Sequence, residues 1–235
     1  MSAKKRVGVL ISGRGTNLQA LIDAAKAPEY PAELGLVISN VPGVQGLARA
    51  EAAGISTRAI KHQDFPSRER FEDALDEALN QAGVELLCNA GFMRLLTESF
   101  VSRWLNRHLN IHPSLLPAFK GLDTHGRVLR SGAQITGCTV HFVRAAMDDG
   151  PIVAQAAVPV LPGDTEEVLA GRCSPPSTGS TPMPCGWLPR AKWRWMGNAY
   201  RERPPGWAVP LFFRPRFRQF LIERRKSREN EPAGP

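Results

Sequence analysis

Cysteine is scarce in this sequence of 235 residues, which contains only Cys88, Cys138, Cys173 and Cys185. No two of them have C-x-x-C spacing, so neither a zinc site nor a disulfide framework is indicated. Long apolar runs are also missing, since no stretch reaches the roughly 20 residues of a membrane-spanning helix and the N-terminus leads directly into a short strand. The sequence therefore predicts a cytoplasmic protein with no metal site and no membrane partner.

Most of the chain has no excess of basic residues, although the formal net charge of the whole sequence is +8. Residues 172–235 hold 13 of the 30 Lys and Arg residues and 4 of the 22 Asp and Glu residues, which gives this segment +9 and leaves −1 on residues 1–171. The same segment contains 11 of the 20 prolines. The sequence thus predicts one domain over residues 1–171 and a separate tail over residues 172–235. A nucleic-acid partner is not favoured for the domain.

Short apolar runs rich in β-branched residues alternate with segments of helical spacing along residues 1–171. This alternation predicts an α/β fold with a Rossmann-like, mostly parallel twisted sheet and helices on both faces. Ligands of such sheets bind at the carboxyl ends of the strands. The predicted strands are Arg6–Ile11, Leu34–Ser39, Ser56–Ile60 and Glu85–Asn89, and the predicted helices include Val44–Ala53 and Arg68–Ala82.

Two later segments, Gly137–Arg144 and Pro151–Val160, alternate between apolar and other residues in the way that half-buried strands do. The short M-D-D-G segment between them is a turn. Together they predict an antiparallel pair at the edge of the sheet. The turn carries Asp148, which places a carboxylate at one end of this pair.

Asn110 and His112 stand at the end of the apolar run L-N-I-H, two residues apart. If this run ends a strand, both side chains leave the same face. An amide N–H can stabilise an oxyanion, and an imidazole can carry a proton near neutral pH. The carboxylate of Asp148 could support a charged imidazole or position a water. The pattern predicts a site that builds negative charge on a carbonyl oxygen, although a satisfied turn before Pro113 also fits it.

The segment S-G-R-G-T-N, residues 12–17, lies between the first predicted strand and a helical segment. In this arrangement the backbone N–H groups of a helix N-terminus can hold a phosphate. Leu18 replaces the third glycine of a dinucleotide fingerprint, and no G-K-[ST] follows as in a Walker A loop. A nucleoside monophosphate therefore fits best. Thr16 and Asn17 also suit helix N-cap positions, which is the structural alternative.

Four motifs together resemble those of the folate-dependent formyltransferases. They are N-I-H-P-S-L-L-P, D-T-H, G-C-T-V-H-F-V and M-D-D-G-P-I-V-A-Q, in this order and spacing, and the resemblance runs from about Val7 to about Ala170. It implies the formyltransferase fold and the co-substrate 10-formyltetrahydrofolate, without a metal. Among these enzymes the chain is most similar to those that formylate the amine of glycinamide ribonucleotide in purine biosynthesis. The oligomeric state stays open between monomer and homodimer.

The resemblance also implies roles for individual residues. Asn110, His112 and Asp148 are the implied catalytic residues. His125 and His141 are expected to be structural hydrogen-bonding partners without a direct part in proton transfer. On pattern alone, an apolar loop is more often core and an arginine at a helix start is more often solvated. The implied phosphate-binding residues are Gly15, Thr16 and Asn17, and the implied folate-binding residues are Arg68, Met93, Arg94, Leu95, Leu96 and Asn110.

The resemblance ends after G-D-T-E-E-V-L-A-G-R. Formyltransferases of this kind continue with a helix that carries a glutamate contacting the amine of the substrate, whereas the prolines of this tail forbid such a helix. A one-base shift of a GC-rich back-translation of Cys173–Trp187 yields an amphipathic helix with glutamate in place of Ser177. The tail is therefore expected to be disordered and frameshifted, with impaired activity and solubility. A genuine lineage-specific tail is the alternative.

Three other functions compete with this prediction. A formyltetrahydrofolate hydrolase is expected to carry an additional N-terminal regulatory domain, and this sequence begins at the first strand. A methionyl-tRNA formyltransferase is expected to carry a C-terminal RNA-binding barrel, for which the tail lacks alternating strands. The last alternative is an inactive relative whose basic, Trp-containing tail binds nucleic acid.

Overall fold

The computed structural model of the chain describes residues 4–173, in which seven strands form one sheet in the order β3-β2-β1-β4-β5-β6-β7. The strands are β1 (Lys5–Ile11), β2 (Ala32–Ser39), β3 (Thr57–Ala59), β4 (Leu86–Asn89), β5 (His108–His112), β6 (Ile135–Phe142) and β7 (Ile152–Pro159). The helices of the described residues are α1 (Thr16–Ala25), α2 (Gln45–Ala52), α3 (Arg68–Gln81), α4 (Glu98–Arg103), α5 (Thr124–Arg130) and α6 (Glu166–Cys173).

The predicted fold class is confirmed. Strands β1 to β5 pair in parallel, whereas β6 pairs antiparallel with both β5 and β7. The strand predicted over Ser56–Ile60 is shorter than expected, because only its central three residues pair with β2. Within residues 4–173 no helix is both long and apolar enough to cross a bilayer.

The central strand β1 is buried on both faces of the sheet, as its continuous apolar run predicts. Val9 and Ile11 pack in one apolar cluster with Leu18 of α1. Leu10 points the other way, into a second cluster with Leu75 of α3. Alternate residues of β1 thus pack against helices on opposite faces of the sheet, α1 on one face and α3 on the other. The carboxyl end of β1 is held between these two helices.

One face of β4, β5 and β6 changes from apolar to polar near the carboxyl end of the sheet. On β5, Leu109 and Ile111 pack on the face that carries α1, so the alternate residues of this strand project from the opposite face. Asn110 is the registered neighbour of Asn89 on β4 and of His141 on β6. We call this surface the polar face, and it consists of Asn89, His108, Asn110, His112 and His141.

Helix α6 begins close to the G-D-T-E-E segment, where the resemblance places the start of a helix. Its residues Leu169 and Cys173 pack against Val128 of α5. Arg172 makes a bidentate ion pair with Asp164 in the preceding turn, with Nη2 and Oδ1 2.6 Å apart. The helix includes Cys173, the last described residue. Most of the predicted tail lies outside the described residues, so its disorder and its frameshifted origin stay predictions.

Candidate active site

A cavity of about 500 Å³ opens at the carboxyl ends of β4 and β5. Such a volume suits a ligand of small-molecule size. Asn110, His112 and Asp148 line it together, as the sequence predicts for one site. The other lining residues are Asn89, Gly91, Phe92, Met93, Arg94, Leu95, Leu96, Val101, Ile111, Pro113, Gly121, Leu122, Asp123, Thr124, His125, His141, Val143, Arg144, Ala145, Met147 and Glu166.

His112 is held between two hydrogen-bond acceptors. Its Nδ1 atom lies 3.2 Å from Oδ2 of Asp148, and its Nε2 atom lies 2.9 Å from the carbonyl oxygen of Phe119. Both side chains of the ion pair are nearly buried, with 6% of His112 and 10% of Asp148 exposed. A carboxylate and a carbonyl oxygen can only accept hydrogen bonds, so both ring nitrogens of His112 face acceptors.

Asp148 is oriented by its backbone as well as by its neighbours. Its φ angle of 51° is in the left-handed region, which Asp tolerates better than most residues. Oδ2 accepts a hydrogen bond of 2.8 Å from the N–H of Gly121. Burial raises the pKa of Asp148, but the contacts with His141, Gly121 and His112 outweigh burial and leave this pKa below its ordinary value. The carboxylate is therefore ionised at neutral pH.

His141 connects the other two members of the site. Its Nδ1 atom lies 3.1 Å from the carbonyl oxygen of Phe142, which makes Nδ1 the donor. Its Nε2 atom lies 3.1 Å from Nδ2 of Asn110 and 3.6 Å from Oδ1 of Asp148. His141 thus stands between the Asn110 amide and the Asp148 carboxylate, and the N–H of Asn110 that does not face this ring is left for a ligand.

Two further cavity residues were missed or given little weight by sequence reasoning. Nδ1 of His125 is buried, and it has no hydrogen-bond partner within residues 4–173. Burial lowers the pKa of His125, an effect that Glu166 opposes and His112 adds to. Glu166 is the first residue of α6 and lines the same cavity. Sequence reasoning gave Glu166 no role, although the G-D-T-E-E motif marks the start of this helix, and its expected glutamate at position 177 lies outside the described residues.

Comparison with known proteins places the chain. Residues 5–178 match the family described as Formyl transferase, which is well over half of the sequence. The chain belongs to this family. The family match implies a folate-type co-substrate.

Several named relatives belong to purine biosynthesis. The phosphoribosylglycinamide formyltransferase of Haemophilus influenzae is 39% identical over 207 residues, which cover 88% of this chain and 96% of that protein. The trifunctional purine biosynthetic protein adenosine-3 of Gallus gallus is 54% identical over 169 residues. That match covers 72% of this chain but only 17% of the trifunctional protein.

Solved structures agree with the family match. Glycinamide ribonucleotide transformylase 1 from Symbiobacterium toebii superposes with a TM-score of 0.72 at 48% identity, covering 74% of this chain and 82% of that one. Phosphoribosylglycinamide formyltransferase from Brucella melitensis has the same TM-score at 46% identity and covers 85% of this chain and 100% of that one. The sheet order described above is therefore that of the formyltransferase fold.

The loop 93–96 forms an exposed apolar wall of the cavity. Met93 is 69% exposed and Leu95 is 60% exposed, which is unusual for apolar side chains of this size. The N–H of Met93 donates a 2.8 Å hydrogen bond to Oγ of Ser12, at the end of β1. An exposed apolar wall held by its backbone is suited to a flat heterocycle. Arg68 is exposed at the start of α3 and does not line the cavity.

The glycine turn, residues 12–17, lies beside the cavity but does not line it. Gly15, with φ of 72°, is the N-cap residue of α1, so neither Thr16 nor Asn17 caps this helix as the structural alternative supposed. The first intrahelical bond runs from the N–H of Gln19 to the carbonyl of Gly15. The N–H groups of the preceding helical residues are therefore free of helical bonds and can hold an anion.

Gly15→Ala is expected to lower the free energy of unfolding by about 2–4 kcal/mol, because a left-handed Ala costs roughly 1–2 kcal/mol and the added Cβ must displace its neighbour. That Cβ would lie 2.7 Å from Cα of Gly46, where α2 begins. Denaturant unfolding measures the change. Gly43→Ala is the matched control, since its φ is 68° but no atom lies within 4 Å of the added Cβ. Equal losses in the two variants would contradict the contact between the helices.

Proposed function

We propose that this protein transfers a formyl group from 10-formyltetrahydrofolate to the primary amine of glycinamide ribonucleotide in purine biosynthesis. The observation that carries the proposal is the meeting of Asn110, His112 and Asp148 in one cavity beside the loop 93–96. The named relatives of similar length, such as that of Haemophilus influenzae, are phosphoribosylglycinamide formyltransferases.

The proposed chemistry begins when the amine attacks the formyl carbon and negative charge develops on the formyl oxygen. Asn110 donates to that oxygen the N–H that does not face His141. His112 supplies a positive charge beside it, and its Nε2–H, bound to the carbonyl of Phe119 in the free site, becomes the second donor.

Asp148 completes the proposed proton transfer. Its carboxylate sustains the charge on His112 and accepts, through water, the proton that the attacking amine must lose. The carbon–nitrogen bond to the folate then breaks, and the same proton returns to the folate nitrogen that leaves. No other side chain is needed as a base, because Asp148 stays ionised at neutral pH.

The two substrates are assigned to neighbouring parts of the fold. We assign the ribonucleotide phosphate to the N–H groups of Gly15, Thr16 and Asn17, and the folate heterocycle to the apolar loop 93–96. Ser12 supports the assignment, because it joins the glycine turn to that loop through the N–H of Met93. Arg94 lines the cavity and is assigned to the folate. Arg68 lies outside the lining and is assigned to a part of the folate that extends beyond the cavity.

We further propose that the protein acts in the cytoplasm as a monomer or homodimer, without a metal, a membrane or a nucleic acid. The supporting observation is its three described cysteines, Cys88, Cys138 and Cys173, which are buried and free, as in a reducing compartment.

The test is a direct assay in which the full chain is mixed with 10-formyltetrahydrofolate and glycinamide ribonucleotide. The change in folate absorbance measures the reaction. Formyl transfer that requires the ribonucleotide supports the proposal. Release of formate without the ribonucleotide would instead indicate the hydrolase. No turnover by the full chain, with turnover restored when residues 173–187 carry the alternative-frame helix, would indicate an impaired relative.

A further inference from the structure

The polar face contains a buried pair that the proposed chemistry does not use. Nε2 of His108 lies 2.9 Å from Oδ1 of Asn89. His108 is 1% exposed and its ring packs edge-on against Phe100, at 6.1 Å between centroids. The two side chains of such a buried pair either bond only to each other, or one of them also offers a hydrogen-bonding group to a ligand in the cavity.

The protonation of His108 fixes the orientation of the Asn89 amide. Burial, and then the nearby His141, lower the pKa of His108 to about 3, so the ring is neutral and carries one proton. Its Nδ1 atom is buried without a partner among residues 4–173. Since a buried N–H without a partner costs more than an unused lone pair, the proton resides on Nε2. Oδ1 of Asn89 therefore accepts from His108, and its NH₂ group points away from that ring.

The Asn89 side chain borders the cavity, and its NH₂ group is on the side away from His108. Asn89 lines the cavity although only 8% of the residue is exposed. Among the described residues, none accepts a hydrogen bond from its Nδ2 atom. Asn110 is its registered neighbour on β5, and the apolar residues Phe92 and Val101 line the same cavity. A nearly buried donor without an acceptor, on a residue that lines a cavity, indicates a contact with a ligand.

We infer that Asn89 is a binding residue for the heterocycle of the folate co-substrate, to which its Nδ2–H donates, and that His108 is the positioning residue that sets this amide. The inference rests on the proposed function. Folate ring systems carry carbonyl oxygen and ring nitrogen acceptors at their edge. A donor between the apolar wall and Asn110 distinguishes such a heterocycle from an apolar ring, because an unmatched buried donor lowers affinity.

The main test is the double variant Asn89→Leu with His108→Leu, whose binding of tetrahydrofolate is measured by calorimetry on the full chain. We expect the Kd to rise about tenfold, as for the loss of one hydrogen bond to a ligand. The folate KM should rise with it, while kcat changes less than about threefold. Removal of both polar partners should leave the thermal midpoint unchanged or higher. Unchanged tetrahydrofolate affinity would overturn the inference, and so would a loss confined to kcat.

A second pair of variants tests the positioning role of His108. His108→Gln keeps an N–H that can reach Oδ1 of Asn89, so the Kd should stay within about twofold of the original. His108→Leu removes that donor and lets the amide rotate, so the Kd should rise about threefold. Equal affinities of the two variants would overturn the role of His108. If the original protein does not bind tetrahydrofolate, the proposed function itself is contradicted. If the original protein and all variants bind tetrahydrofolate with the same affinity, only the Asn89 contact is contradicted.

Discussion

His112→Ala is expected to lower kcat by about 10²–10⁴-fold, while the KM values of both substrates change much less. In the proposed chemistry the imidazole lies beside the charge that develops on the formyl oxygen, so its removal should act on the transition state more than on binding. The variant also leaves Asp148 without one of its partners. Steady-state kinetics with each substrate varied in turn measures the two effects separately.

The matched control for this prediction is His62→Ala. His62 belongs to a short 3₁₀ turn and does not line the cavity, so the loss of its imidazole should leave kcat within about twofold of the original. Circular dichroism confirms that both variants are folded. A His112→Ala enzyme with the original kcat would remove His112 from the chemistry.

The fold was predictable because its signals are local. Each parallel strand is an apolar run bounded by a glycine turn or a helix, and burial on both faces of the sheet requires such a run. The alternation of Gly137–Arg144 and Pro151–Val160 identified the antiparallel pair in the same way. Strand β3 was the least well predicted, since only three of its residues pair and two of these are exposed.

The pair Asn110 and His112 was visible in the sequence because two polar residues interrupt an apolar strand at a spacing of two. Asp148 was predicted as a partner of this pair, whereas the neighbours of Asn110 on the adjacent strands were not visible. His141 reaches Asn110 only through the register of β5 with β6, and Asn89 does so only through the register of β4 with β5. Register depends on which strands become neighbours, and local spacing does not contain that information.

Arg68 and the glycine turn were predicted as binding residues, but neither of them lines the cavity. Their sequence motifs marked them as binding residues, but the distance from a motif to a cavity depends on the packing of whole elements. The glycine turn is fixed where α1 meets α2, at Gly15 and Gly46, and it reaches the cavity wall only through Ser12. Whether Arg68 reaches a ligand depends on the direction of its long exposed side chain, and a sequence motif does not determine that direction.

Asp148→Asn is expected to lower kcat by about 10²–10³-fold. Asn tolerates the left-handed φ of 51° nearly as well as Asp, so the turn should keep its shape. The amide is uncharged, however, and it can neither sustain the imidazolium of His112 nor take a proton from the attacking amine. Asp149→Asn is the matched control, because Asp149 is the next residue, is 60% exposed and pairs with Lys120. That control should keep kcat within about twofold.

The lowered pKa of Asp148 also predicts a pH dependence of stability. The pKa of Asp148 is lower in the folded protein than in the unfolded chain, so its ionised carboxylate contributes stability that is fully present above the unfolded pKa of about 3.9. This contribution is lost as the pH falls through the lower, folded pKa. The difference in unfolding free energy between the original protein and Asp148→Asn should therefore shrink as the pH falls below about 4. Denaturant unfolding at several acidic pH values measures it, and a difference that did not shrink below about pH 4 would contradict the lowered pKa of Asp148 on which the proton transfer depends.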